Sequence, residues 1–282
     1  LTALLLLVSR DNARLQNFDT DGRPKGGFDL PHDSPDRKTS QAGGIAVSGD
    51  GLIYLSFMEQ HKIRVYTDAG ELVKEWGTHG SDPGELKQPG GLVLGDEKLY
   101  VCDQGNHRVQ VFTTGGKWLQ SWGEHGTNFG QFGGFEKSGS RFGGPHFIAI
   151  DSKGRLFTTE GTNGRIQRFD PNGRPETSWG DSGDAPGSFG ALKTAFSQNP
   201  FGPIGVMIDS QDNVWISSLN DRVQAFTTDG TYQYGIGSSG NNPGQFSRPH
   251  GMAMDSEGNL YVVDSSNQRI QKFAVSGEKS HD

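Results

Sequence analysis

The sequence predicts an all-β protein built from repeated four-stranded antiparallel sheets, and three observations carry that prediction. First, the stretch Asn259 to Phe273, NLYVVDSSNQRIQKF, recurs along the chain. It returns as LYVCDQGNHRVQVF (Leu99 to Phe112), LFTTEGTNGRIQRF (Leu156 to Phe169) and VWISSLNDRVQAF (Val214 to Phe226). Weaker copies, IYLSFMEQHKIRVY and LLLLVSRDNARLQNF, end at Tyr66 and Phe18. Second, the closing aromatics Phe18, Tyr66, Phe112, Phe169, Phe226 and Phe273 are each followed four residues later by glycine: Gly22, Gly70, Gly116, Gly173, Gly230 and Gly277. Third, only 32% of residues are hydrophobic and 43 are glycine, which suits many short strands and tight turns rather than one thick core.

Each copy reads as strand, short polar loop, strand. Leu260 to Val263 is β-branched and aromatic, and Arg269 to Phe273 alternates polar with apolar residues. A further apolar run precedes each full copy, such as GMAMDSEG from Gly251 to Gly258. A fourth follows most copies, ending at Trp76-Gly77, Trp122-Gly123, Trp179-Gly180 or Ile236-Gly237. Four-stranded sheets repeated radially at this period predict a β-propeller, a ring with few free sheet edges. The blades are expected at residues 1–30, 43–77, 90–123, 146–180, 204–237 and 250–282 of one domain spanning 1–282. By this register the first unit lacks its innermost strand and the last its outermost, so residues upstream of Leu1 are expected to be missing. Ala3 to Val8 aligns with the second strand of the repeat and is read as strand rather than as the end of a signal peptide.

The pattern from Pro243 to Phe273, PGQFSRPHGMAMDSEGNLYVVDSSNQRIQKF, resembles the NHL-repeat family. That resemblance covers essentially the whole chain and implies a six-bladed propeller. Its members include enzymes, protein-binding and RNA-binding modules and extracellular sensors, so the fold alone does not fix the function.

Net charge is −7, which argues against a phosphate-backbone binding surface, and no stretch reaches the length of a membrane span. The expected partner is therefore a protein rather than nucleic acid or membrane. A secreted or periplasmic location is favoured, with no signal visible. Cys102 stands alone in a strand pattern and reads as a buried, inert thiol.

In a blade that runs up and down, the loop before the first strand and the loop between the second and third strands share a face. This face receives the irregular segments Asp29 to Gln41, Asn128 to Gly144 and Gly183 to Gly202. It also receives seven of the eight histidines: His32, His61, His79, His107, His125, His146 and His250. Loops on a rigid scaffold commonly carry binding residues. The recurrent cations Arg108, Arg165 and Arg269 stand five residues after Asp103, Glu160 and Asp264, a spacing that predicts charge-assisted pairs pinning each hairpin. Phe129, Phe132, Phe135 and Phe142 in one insertion, and Phe189, Phe196 and Phe201 in the other, are expected either to pack on the propeller as a lid or to form a partner-binding face.

Pro145-His146 and Pro249-His250 each open an innermost strand. In the peptidyl-hydroxyglycine amidating lyases, which this chain resembles in fold, three such units on alternate blades hold a catalytic zinc. Here the corresponding position in the second blade is Gly43. The lyase tyrosine and arginine fall at Gln104 or Gly105 and at Gly161. A residual metal site of His146 and His250, completed by His32, water or an acidic loop residue, is one expectation, with a divalent cation (Zn or Ca) in the central channel. Two functions follow: a non-catalytic protein-interaction or scaffold module working through the loop-rich face, as part of a larger assembly, or a metal-dependent enzyme with a degenerate histidine site. No catalytic residue is assigned.

Overall fold

The computed structural model describes residues 5–9, 12–32, 40, 42–133, 144–181, 183–190 and 202–275. Six antiparallel sheets follow one another along the chain. The first holds β1 (Leu5–Ser9), β2 (Arg14–Phe18) and β3 (Pro24–Asp29). The second holds β4 (Ala42–Val47), β5 (Ile53–Phe57), β6 (Lys62–Tyr66) and β7 (Leu72–Trp76). The third holds β8 (Pro89–Gly95), β9 (Lys98–Asp103), β10 (Arg108–Thr113) and β11 (Trp118–Trp122), and a short parallel pair follows, β12 (His125–Gly126) with β13 (Phe132–Gly133). The fourth holds β14 (Ile148–Ile150), β15 (Leu156–Glu160), β16 (Arg165–Phe169) and β17 (Pro175–Trp179). The fifth holds β18 (Pro203–Ile208), β19 (Val214–Ser218), β20 (Arg222–Phe226) and β21 (Tyr232–Ile236). The last holds β22 (Pro249–Met254), β23 (Asn259–Asp264) and β24 (Arg269–Ala274).

Among the described residues four four-stranded sheets are flanked by two three-stranded ones, the first and last units each being one strand short as the repeat register predicts. Among the described residues the first sheet ends at β1 on its inner side, and the last ends at β24 on its outer side. Strands β4, β8, β14, β18 and β22 lie next to one another in that order around the centre. The last sheet meets the first where Tyr261 Oη (3.1 Å) and Lys272 Nζ (3.2 Å) both donate to the Thr20 carbonyl.

The apolar core is divided among the spaces between consecutive sheets. Tyr54, Ile63 and Val65 of the second sheet pack with Leu92, Leu99, Val101 and Phe112 of the third, and four analogous clusters fill the other spaces from the first sheet to the last. This division explains why 32% hydrophobic residues suffice. Four of the glycines that follow a closing aromatic have two causes. Gly70, Gly116, Gly173 and Gly230 take φ of +84 to +92°, a left-handed turn that favours glycine. Each also lies beneath an aromatic ring of the preceding sheet: Phe28, Trp76, Trp122 and Trp179 respectively. A Cβ at Gly173 would stand 2.3 Å from Trp122.

Four innermost strands carry a register shift, at Ala42/Ile45, Pro89/Leu92, Pro203/Val206 and Pro249/Met252. Such a shift frees backbone groups from their own ladder. The freed groups join neighbouring sheets. Ser56 Oγ accepts from Gly44 N–H (2.8 Å) and donates to the Gly90 carbonyl (2.6 Å). Ser217 Oγ likewise accepts from Gly205 N–H and donates to the His250 carbonyl. Thr159, at the same strand position in the fourth sheet, accepts from Phe147 N–H (3.1 Å) and donates to the Ile204 carbonyl (2.6 Å). The third sheet has Cys102 at this position, fully buried, with its thiol held largely protonated by that burial. There the Gly91 N–H bridges the gap directly, donating to the His146 carbonyl at 2.7 Å.

Candidate functional site

The three predicted acid–arginine pairs are present. Arg108 Nε donates to Asp103 Oδ2 (2.8 Å), Arg165 Nε to Glu160 Oε1 (2.9 Å) and Arg269 Nε to Asp264 Oδ2 (2.8 Å). Asn106, Asn163 and Asn267 donate to the same carboxylates. All three acids are buried. Burial pushes the carboxyls of Asp103 and Glu160 above the usual range despite the adjacent guanidinium groups. Burial also pushes Asp264 upward, but hydrogen bonds from Ser247 N–H, Asn267 and Arg269 outweigh it and its carboxyl lies below the usual range.

The same arginines also reach backward to the preceding crossing. Arg108 donates to the carbonyls of Ser81, Asp82 and Glu85, Arg165 to those of Thr127, Asn128 and Gln131, and Arg269 to those of Asn241, Asn242 and Gln245. Two residues on, Gln110, Gln167 and Gln271 grip the same crossings. Gln167 accepts from Gly130 N–H and donates to the Gln131 carbonyl, both at 2.8 to 2.9 Å. Gln110 and Gln271 repeat this arrangement. The crossings and the turns between second and third strands therefore lie on one face, as the topology predicts.

The same crossings drive an apolar side chain between sheets. Phe132 and Phe189 are fully buried, with rings 5.7 Å from Phe169 and Phe226, and Leu86 and Phe246 occupy the equivalent places. Of the phenylalanines expected either to pack on the propeller or to form a partner face, these two are packed in its interior. Phe129 is 51% exposed, and Phe135, Phe142, Phe196 and Phe201 lie outside the described residues. The plugs carry a sequence signal: Leu86, Phe132, Phe189 and Phe246 each stand nine residues after the glycine that follows the outermost strand.

His146 is buried, its ring against the turn of its own sheet, where a Cβ on Gly161 would meet its Cε1 at 3.0 Å. His250 is half-buried, and His32 is exposed with its carbonyl accepting from Gln60 Nε2. Among the described residues no three His, Cys, Asp or Glu side chains gather as a metal-ligating group. Two histidine pairs do form, His61 with His79 and His107 with His125, at ring-centroid distances of 4.4 and 4.6 Å.

Two open grooves mark this face. One, of about 350 Å³, runs past Lys87, Asn106, Arg108, Glu124 and His125; the other, of about 300 Å³, is bounded by Glu124, Asn128, Phe129 and Gln131. No described helix is long and apolar enough to cross a membrane.

Comparison with known proteins agrees with this architecture. The NHL repeat model matches residues 86–112, 142–169 and 246–273. Among solved structures, a virginiamycin B lyase from Staphylococcus aureus superimposes with a TM-score of 0.60 at 19% identity, over 98% of this chain and 82% of that one. A Bacteroides caccae protein of unknown function gives 0.63 at 12% identity, over 93% and 82%. The hydrazine synthase of Kuenenia stuttgartiensis gives 0.60 at 15% identity, over 95% and 72%. At these identities the likeness is one of fold. The repeats, the ring of antiparallel sheets and these neighbours together make the chain an all-β propeller that carries NHL repeats.

Proposed function

We propose that the chain is a non-catalytic interaction module that presents its loop-bearing face to a protein partner, as a domain or subunit of a larger assembly. One observation carries this reading: Phe129 is 51% exposed at the edge of a groove, on a crossing whose backbone is clamped by Arg165 and Gln167 and anchored by the buried Phe132. An aromatic side chain on immobilised backbone is a preorganised anchor, because little further ordering is needed when it enters a partner's pocket. The charged groups that would otherwise suggest chemistry, Asp103, Glu160 and Asp264 with their arginines, are engaged in holding hairpins and crossings.

The test is affinity capture from the native source with wild type, Phe129→Ser and a remote control, Tyr234→Ser, which alters an exposed side chain on β21. Loss of one defined partner with Phe129→Ser alone supports the reading. Equal capture by all three proteins overturns it. The alternative is a metal-dependent enzyme related to the amidating lyases, using His146 and His250 with His32 and a Zn or Ca ion. One tightly held zinc per purified chain, lost in the His146→Ala/His250→Ala double variant, would favour that alternative.

A further inference from the structure

We propose that the His61 and His79 ring pair is a proton-sensitive latch on the crossing between the second and third sheets. This crossing leaves β7 at Gly77 and enters β8 after Gln88. His61 ends the turn between β5 and β6 in a left-handed conformation (φ 56°), and its Nδ1 accepts the Gln88 N–H at 3.1 Å. Its ring lies 4.4 Å from that of His79, at 48° between planes. A single imidazole therefore ties the turn to both ends of the crossing.

The acceptor role fixes the protonation state. A neutral histidine that accepts at Nδ1 carries its hydrogen on Nε2, so this ring offers no Nε2 lone pair to a metal while the bond to Gln88 stands. Charging it requires a second hydrogen on Nδ1, which would then face the Gln88 N–H donor to donor. The surrounding groups add to this. Burial is the largest influence and holds His61 below its ordinary value of 6.5; His79 and Lys87, both on the crossing, act in the same direction, and Glu59 on the turn opposes them. Because the folded value is the lower one, the stabilisation from this contact is complete above pH 6.5 and is lost as pH falls through the folded value.

On protonation Nδ1 can no longer accept the Gln88 N–H, and that bond breaks. The middle of the crossing stays in place, because Leu86 is buried and Arg108 holds the carbonyls of Ser81, Asp82 and Glu85. The freed part is the end around Lys87 and Gln88, and Lys87 lines the groove of about 350 Å³. Protonation of His61 thus reshapes that groove without unfolding the sheets. The next sheet repeats the ring contact in His107 and His125.

The experiment is an NMR titration of the intact chain from pH 8 to pH 4.5, following the ring nitrogens of His61 and the exchange of the Gln88 amide. The expected result is an Nε2–H tautomer at neutral pH, a His61 midpoint below 6.5, and a protection factor of the Gln88 amide that falls about tenfold along the same titration curve. In His79→Gln the His61 midpoint and the Gln88 transition should move together to higher pH. An Nδ1–H tautomer, a midpoint at or above 6.5, or Gln88 exchange that does not follow His61 would overturn the proposal, and the wild-type measurement alone decides it.

Discussion

Thr159→Val isolates the hydroxyl that joins the fourth sheet to the fifth. The two side chains have nearly the same shape, so packing at this fully buried position is preserved and the change replaces one hydroxyl by a methyl group. That oxygen accepts from Phe147 N–H, and its hydrogen is donated to the Ile204 carbonyl, which lies in the register shift of β18. Leaving a buried donor or acceptor unpartnered costs about 1–3 kcal/mol. With two groups orphaned, and carbonyls tolerating this better than N–H groups, the variant should lose about 2–4 kcal/mol. Thr159→Ser keeps both bonds and gives up one methyl group, a loss of about 1 kcal/mol. Urea denaturation followed by tryptophan fluorescence measures both. A valine variant within about 0.5 kcal/mol of wild type, or a serine variant that loses more than the valine variant, would show that the hydroxyl does not carry the join.

Phe132→Ala empties the plug between the third and fourth sheets and should cost about 3–5 kcal/mol by the same assay, whereas Phe129→Ala, at an exposed side chain, should stay within about 0.5 kcal/mol of wild type. Gly173→Ala places a Cβ 2.3 Å from Trp122 at φ +84°, so it should destabilise the chain and perturb tryptophan emission, while Gly22→Ala meets nothing within 4 Å and should show only the cost of the left-handed turn. Asp264 is held below the ordinary carboxylate value of 3.8, so its stabilisation is present above that pH and is lost as pH falls through the folded value. The stability gap between wild type and Asp264→Asn, followed by denaturation at successive pH values, should accordingly close toward acid.

Much of this architecture can be read from the chain because it is periodic. The repeat locates the strands, the acid-to-arginine spacing identifies each pinned hairpin, and the glycine after each aromatic marks a turn. The sequence reading missed what passes between sheets. Ser56, Thr159 and Ser217 look like ordinary polar residues in strands, and nothing near them in sequence shows that Gly90, Ile204 and His250 present carbonyls to them. Phe129 and Phe132 are three residues apart among glycine and small polar residues, yet one is exposed and the other fully buried. The recurrence at a fixed distance from the preceding glycine separates them. Local composition cannot do so, since burial there is set by a neighbouring sheet folded from residues further along.

The arginine clamps have a consequence for how this surface can change over time. Every atom that Arg108, Arg165 and Arg269 grasp in the crossings is a main-chain oxygen, and the residues supplying those oxygens are Ser81, Asp82 and Glu85 in one case, Thr127, Asn128 and Gln131 in the next, and Asn241, Asn242 and Gln245 in the third. The grip is blind to side-chain identity. Substitutions on the outward side of these loops can therefore accumulate without loosening the ring, as the written text on a tile can be altered while the mortar behind it stays the same. A scaffold of this kind separates the residues that keep it folded from those free to acquire a new specificity.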